Sequence, residues 1–242
     1  MKKYGLIGRS LQHSFSESFF LEFFSKNSID AVYHTLELSS IEEFANLNDY
    51  SGINVTTPYK EAVIPFLDEL SEEARSIGAV NVVHYKNGTK IGYNTDSFGF
   101  RQSIKPFLTN QHERAIIFGT GGAAKSVNFV LRSLGIEVLF VSRKPVENNQ
   151  FNYNEINENM INSCKLLVNC TPVGTFPDSD VCLELPYQFL SKDHLVIDLI
   201  YNPKKTKFLQ NAAQFGAQIL NGESMLKEQA LKSWDIWSKI EN

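Results

Sequence analysis

Apolar and polar positions along this chain follow two periods, short β-type runs and longer helical faces. Residues 4–7 form a short apolar run closed by Gly8 and predict a strand. Phe19, Phe20, Phe23 and Phe24 fall at helical spacing within 16–25. Residues 31–38 alternate and predict a second strand, and 41–47 a helix. The run GINVT at 52–56 is β-rich and is stopped by Pro58; 61–77 reads as one helix. Residues 79–85 and 90–94 predict a hairpin about Asn87 and Gly88. The second half repeats the alternation: strands at 114–118, 137–141, 166–169, 195–199 and 218–220, with helices at 123–134, 208–215 and 223–240. Residues 144–159, rich in Asn and Glu, read as a solvated loop or weak helix. Strands that are apolar throughout and alternate with helices imply a parallel sheet covered on both faces.

Composition narrows the class. At 242 residues the chain has room for one large domain or two small ones, and a new βαβ unit beginning just after residue 100 favours a boundary there. Eighteen Phe and nine Tyr supply a core and exclude a disordered chain. A net charge of -4 argues against a dedicated nucleic-acid binder. The apolar run at the N-terminus stops at Arg9, and no stretch is long enough to span a bilayer, so the expected compartment is the reducing cytoplasm. Cys164, Cys170 and Cys182 lack CxxC spacing and His34, His84, His112 and His194 are scattered, so no metal site is expected.

The strongest local signal is RAIIFGTGGAAKS at 114–126. A strand runs into Gly119, Gly121 and Gly122, and a helix starts at Ala123. Glycines let a backbone approach a pyrophosphate, and the helix N-terminus offers free N–H groups and positive potential. The next strand ends at Ser142, Arg143 and Lys144, where NAD enzymes usually carry an acid for the ribose hydroxyls. Two cations in that place favour a 2′-phosphate, hence NADP. In the first half, Ser14, Ser16, Thr56, Lys60, Asn81, Asp96 and the later Gln229 supply the hydroxyls, amides and charges that a polyhydroxylated acid needs. Taken singly these residues have ordinary readings. Lys60 would be a solvated charge, and Asp96, Ser14 and Ser16 helix caps. His13 reads as structural, Cys170 as packing, and Trp234 and Trp237 as core.

Taken together, the segments at 13–16 (HSFS), 54–60 (NVTTPYK), 78–81 (GAVN), 94–96 (NTD), the glycine turn, 169–172 (NCTP), 198–203 and 222–229 resemble the shikimate dehydrogenase family, in order and spacing, over nearly the whole chain. The resemblance implies a two-domain α/β fold: a substrate-binding α/β domain at 1–99, completed by the C-terminal helix at 222–242, and a Rossmann-like NADP-binding domain at 100–221. It implies reduction of 3-dehydroshikimate to shikimate with NADPH in aromatic amino-acid biosynthesis, by a monomer or homodimer. By position it makes Lys60 the catalytic acid and base, with Asp96 its partner. Ser14 and Ser16 hold the substrate carboxylate. Thr56, Asn81, Asp96 and Gln229 hold ring hydroxyls, and Tyr201 lies near the substrate. Gly119, Gly121, Gly122 and Ala123 form the pyrophosphate loop. Ser142, Arg143 and Lys144 stand where the family has Asn-Arg-Thr for the 2′-phosphate. Leu199 and Gly222 match positions near the nicotinamide, and Glu72 a position beside the cofactor. Glu17 departs from the family's proline, and the stretch from 144 to 166 is shorter than the family pattern.

Overall fold

Strand β1 (Lys2–Gly8) turns Tyr4 and Leu6 to one side and Ile7 to the other, and both sides are buried, in a computed structural model that describes residues 1–11 and 14–238. Helix α1 (Phe15–Lys26) follows, then β2 (Ala31–Glu37), a 3-10 turn at Ile41–Asn46 capped by Ser40 and Glu43, and β3 (Gly52–Val55). The chain continues through α2 (Tyr59–Ala62), β4 (Glu69–Leu70), α3 (Glu72–Ile77), β5 (Val82–Lys86) and β6 (Thr89–Tyr93). These strands form one sheet in the order β2-β1-β3-β5-β6-β4. Its β1, β2 and β3 run parallel, and the β5–β6 hairpin makes the rest mixed. Asn87 and Gly88 turn that hairpin with φ of 50° and 80°, as a two-residue loop of this twist requires.

The helix expected over 61–77 is broken, for a local reason. Pro65 carries no N–H and sits in a 3-10 turn. The chain then extends, Asp68 and Ser71 donating their backbone N–H groups to Lys90 and Gly92 of β6. Ser71 restarts the helix by accepting from the Ala74 N–H at 3.1 Å.

The second half begins with a helix the periodicity did not announce, α4 (Asp96–Ile104). Then come β7 (Arg114–Phe118), α5 (Gly122–Ser133), β8 (Glu137–Val141), β9 (Gln150–Phe151), α6 (Glu158–Ser163), β10 (Leu166–Asn169), β11 (Leu195–Asp198), α7 (Lys207–Gln214), β12 (Gln218–Leu220) and α8 (Glu223–Ser238). The stretch read as loop or weak helix holds the two residues of β9, too short for a periodicity to show. All pairings in this sheet are parallel and its order is β12-β11-β10-β7-β8-β9. Counted within this sheet, that is the 3-2-1-4-5-6 order of dinucleotide-binding domains, with the switch point between β7 and β10. Ala115, Ile117, Leu166, Val168, Leu195 and Ile197 face one core with α4 and α5, while Ile116, Phe118, Leu167 and Val196 face another with α6 and α7.

The chain divides into two compact units, Met1–Thr95 with Gln229–Asn242, and Asp96–Glu228. In the first unit α1 and the last helix cover one sheet face, where Phe20, Phe24 and Tyr33 pack with Tyr4 and Trp237. Trp237 stacks on Tyr4 at 4.9 Å between ring centres and donates its indole N–H to the Val83 carbonyl at 3.0 Å.

Candidate functional site

In the first unit the predicted residues follow β1 and β3, stand just before β5, and lie on the last helix. Ser14 occupies the N-cap position of α1, yet its hydroxyl makes no capping bond; its Oγ is buried with no hydrogen-bond partner among the described residues. The cap reading of Ser14 therefore fails in its usual energetic sense. Ser16 is 8% exposed in the first turn, and its hydroxyl bonds the Tyr33 phenol. Burial pushes that phenol well above its ordinary range, and Ser16 pulls it partly back. His13 lies outside the described residues. Thr56 is half-buried; its N–H bonds the Ile7 carbonyl at 2.9 Å, and its methyl lies so close to Gly8 that a side chain there would strike it. Lys60 is half-buried in α2, its carbonyl accepting from the Val80 N–H at 2.7 Å, which ties it to the segment carrying Asn81. Glu72 is exposed at the first position of α3.

Asn81 and Gln229 are 148 residues apart and meet at 3.3 Å, Asn81 Nδ2 donating to Gln229 Oε1. They are 3% and 8% exposed, so these amides must be satisfied inside the protein. Three residues that sequence reading did not put forward pack around them: Thr95 bonds the Asn81 amide, while Asn54 and Ser233 bond the backbone carbonyls of Asn81 and Gln229. Thr95 gives its N–H to Asn81 Oδ1 at 2.7 Å and its Oγ1 accepts from Asn81 Nδ2 at 3.0 Å. Ser233 Oγ donates to the Gln229 carbonyl at 2.8 Å and accepts from Asn54 Nδ2 at 3.1 Å. Asn54 Nδ2 also donates to the Asn81 carbonyl at 3.3 Å, and Tyr33 donates to Asn54 Oδ1 at 2.7 Å. The sequence signals were slight: Asn54 and Thr95 lie inside quoted motifs, and Ser233 is one helical turn after Gln229.

In the second unit the predicted residues gather at the carboxyl ends of the parallel strands. Gly119 follows β7 directly, with φ 99°, and its N–H bonds the Val141 carbonyl at 2.9 Å. Gly121 is the N-cap of α5 with no side-chain cap, and a Cβ there would meet nothing within 4 Å. Gly122 and Ala123 form the first turn of α5, so uncapped N–H groups and the positive helix end face that open space. Ser142 follows β8 directly and is buried, with a hydroxyl that has no hydrogen-bond partner among the described residues. Arg143 and Lys144 follow it and are exposed; the Arg143 charge partly offsets the burial that raises the Tyr153 phenol. Leu199 bonds from its N–H to Asn169 at 3.0 Å, and Gly222 lies against the Leu199 carbonyl so closely that no Cβ fits. Tyr201 is half-buried in the loop between β11 and α7.

That loop is held by a buried carboxylate, Asp198, which sequence reading had noted only as part of a motif. Asp198 is fully buried and accepts from Thr206 Oγ1 at 2.6 Å, Asn169 Nδ2 at 3.0 Å and the Ile200 N–H at 3.1 Å. Burial pushes its pKa up to about 6 against the pull of those three donors. Asp96 is 5% exposed at the first position of α4, where the helix end favours a carboxylate. Cys170 packs against the core beside β7, and burial pushes the Cys164 thiol up to about 11. Among the described residues no group of three or more His, Cys, Asp or Glu side chains could hold a metal, and no helix is long and apolar enough to cross a membrane.

A sequence family described as the shikimate dehydrogenase substrate binding domain matches residues 6–83. The shikimate dehydrogenase (NADP(+)) of Pyrococcus abyssi is 35% identical, over 99% of this chain and 93% of its own. The crystal structure of shikimate 5-dehydrogenase from Thermus thermophilus, in complex with NADP(H) and shikimate, is similar with a TM-score of 0.84 and 28% identity, covering 99% of this chain and 94% of that one. Quinate dehydrogenase from Corynebacterium glutamicum, in complex with NAD, is similar with a TM-score of 0.85 and 27% identity, over 99% and 94%.

Proposed function

Because the chain belongs to the shikimate dehydrogenase family, we propose that it catalyses the reversible, NADPH-dependent reduction of 3-dehydroshikimate to shikimate, a step of aromatic amino-acid biosynthesis. The observation that carries the reading is a pair of serine hydroxyls, Ser14 and Ser142, that are buried with no hydrogen-bond partner among the described residues. One stands among the residues assigned to the substrate carboxylate, the other among those assigned to the cofactor 2′-phosphate. A buried hydroxyl left unbonded costs stability, and an anion at each place would offset that cost.

The residues present fit the cofactor. The open space at Gly121, the uncapped start of α5 and the Ser142 hydroxyl receive phosphate groups, with Arg143 and Lys144 supplying charge at the 2′ end. Leu199 and Gly222, by family position, would border the nicotinamide. When bound, NADPH supplies the hydride that reduces the ketone. The chain supplies the rest. Ser14 and Ser16 hold the carboxylate of the acid, and Thr56, Asn81, Asp96 and Gln229 hold its hydroxyls, with Tyr201 nearby. Lys60 gives a proton to the oxygen on which negative charge develops, and takes it back in the oxidative direction. By family position Asp96 is the carboxylate partner of Lys60 in that proton transfer. The first unit is thus the substrate-binding domain and the second the NADP-binding domain, of an enzyme that works in the cytoplasm as a monomer or homodimer.

The test is the initial rate with shikimate and with quinate, each with NADP+ and with NAD+. Highest kcat/KM for shikimate with NADP+ supports the reading. Highest kcat/KM for quinate with NAD+ would move the chain to the chemistry of its Corynebacterium neighbour.

A further inference from the structure

The last residues of β10 and β11, Asn169 and Asp198, are register partners in neighbouring parallel strands of the second unit, and both are 0% exposed. Apolar residues are the usual occupants of such positions, and a buried carboxylate is costly unless it is well bonded. A backbone group fixes the polarity of the pair. The Thr171 N–H is a donor, so the Asn169 atom it meets at 2.9 Å is the carbonyl Oδ1, which also accepts from Thr171 Oγ1 at 2.7 Å. Asn169 Nδ2 therefore turns the other way, donating to the Val173 carbonyl at 3.3 Å and to Asp198 Oδ1 at 3.0 Å. Asp198 Oδ1 accepts in addition from the Ile200 N–H at 3.1 Å.

Two arms leave this pair. One runs through Thr171, whose methyl lies so close to the glycine turn that a Cβ on Gly119 would come within 3.0 Å of it. Asn169 thus holds one wall of the turn. The other arm runs through Leu199 and Ile200. The Leu199 N–H bonds the Asn169 carbonyl at 3.0 Å, and the Ile200 carbonyl accepts from the Gly222 N–H at 3.1 Å. By family position Gly119 belongs to the pyrophosphate end of the cofactor, and Leu199 and Gly222 to its nicotinamide end.

We infer that Asn169 and Asp198 are positioning residues for the cofactor: the bond between them ties the wall beside the glycine turn to the segment that borders the nicotinamide, and so fixes where the hydride donor stands. Both are too buried to touch the ligand themselves. Without the Asp198 acceptor, the Ile200 N–H and one Asn169 hydrogen lose their partner, and the segment carrying Leu199 and bonded to Gly222 is released. The phosphate end, built by β7 and the start of α5, keeps its own frame. Hydride transfer is sensitive to displacements of about 1 Å, so the loss falls on turnover before it falls on phosphate binding. This inference rests on the proposed NADP-dependent reaction; it adds which groups hold the two ends of the cofactor in one frame.

The experiment compares wild type, Asn169→Ala, Asp198→Ala and Asp198→Asn as full chains. Each is assayed for kcat with shikimate and saturating NADP+, for the calorimetric Kd of 2′-phospho-ADP-ribose, which is the cofactor without its nicotinamide, and for thermal unfolding. Asp198→Asn keeps an acceptor for Asn169 and Ile200. The two alanine variants are expected to lower kcat at least about tenfold while the Kd of 2′-phospho-ADP-ribose stays within about threefold of wild type. Asp198→Asn is expected to keep kcat within about threefold. A kcat unchanged in both alanine variants overturns the inference. So does equal loss of kcat in Asp198→Ala and Asp198→Asn, or a loss of 2′-phospho-ADP-ribose binding as large as the loss of kcat, since each marks a general packing role. Where Asp198→Ala does not fold, Asn169→Ala decides by the same criteria, and failure of both to fold also overturns the inference. Wild type that binds 2′-phospho-ADP-ribose yet does not turn over shikimate would instead overturn the proposed function itself.

Discussion

The buried carboxylate of Asp198 makes a quantitative demand on stability. Its side chain is 0% exposed, and burial raises its pKa from the ordinary 3.8 to about 6 despite three donors. A raised carboxylate binds its proton more tightly in the folded state. Its contribution is therefore full below about pH 4 and is lost as pH rises through about 6. A shift of roughly two units corresponds to ~3 kcal/mol between those limits. Other carboxylates titrate over the same range, so the group is isolated by difference. Urea unfolding of wild type and Asp198→Asn is measured at half-unit steps from about pH 4 to pH 7.5. The amide keeps the shape and an acceptor for Asn169 and Ile200 but does not titrate. The stability of wild type minus that of the variant is expected to fall by ~3 kcal/mol across the range. A flat difference would refute the argument that burial outweighs the three donors. A difference that rises with pH would reverse it, showing a carboxylate stabilised by Thr206, Asn169 and the Ile200 N–H.

Three further outcomes follow from the side chains at the two groups of residues. Lys60→Ala is expected to lower kcat at least about 100-fold, the usual range for losing acid–base catalysis, and a variant keeping most of its kcat would reject the role. Arg143→Ala should raise the KM for NADPH several-fold while leaving that for NADH nearly unchanged; equal effects on both would remove the 2′-phosphate from the account. Ser14→Ala should raise the substrate KM about tenfold yet change stability by under about 0.5 kcal/mol, because the hydroxyl caps nothing in the protein. A loss of stability near 1 kcal/mol would restore the helix-cap reading, checked by denaturant unfolding.

What could be read from the chain depended on how local the cause was. The strands of the second sheet are apolar on both faces, and runs such as IIF and LLV announce that burial directly. The glycine turn was legible because its parts are contiguous, strand, turn and helix within thirteen residues. The interval 61–77 misled because its residues suit a helix, while Pro65 and pairing with β6 decide otherwise. The order of the strands belonged to the fold, since sheet neighbours such as β7 and β10 are far apart in the chain. The polar network was the least legible part. Asn54 and Ser233 are 179 residues apart, and Ser233 on its own is an ordinary small residue on a helix. Its role exists only once the last helix is laid on the first sheet.

The most direct measurement is the rate at which the full chain oxidises NADPH in the presence of 3-dehydroshikimate, followed by the absorbance of the reduced nicotinamide, with NADH in parallel. The account predicts rapid oxidation of NADPH that depends on 3-dehydroshikimate, much slower oxidation of NADH, and shikimate as product. No oxidation dependent on 3-dehydroshikimate, with either cofactor, would contradict it.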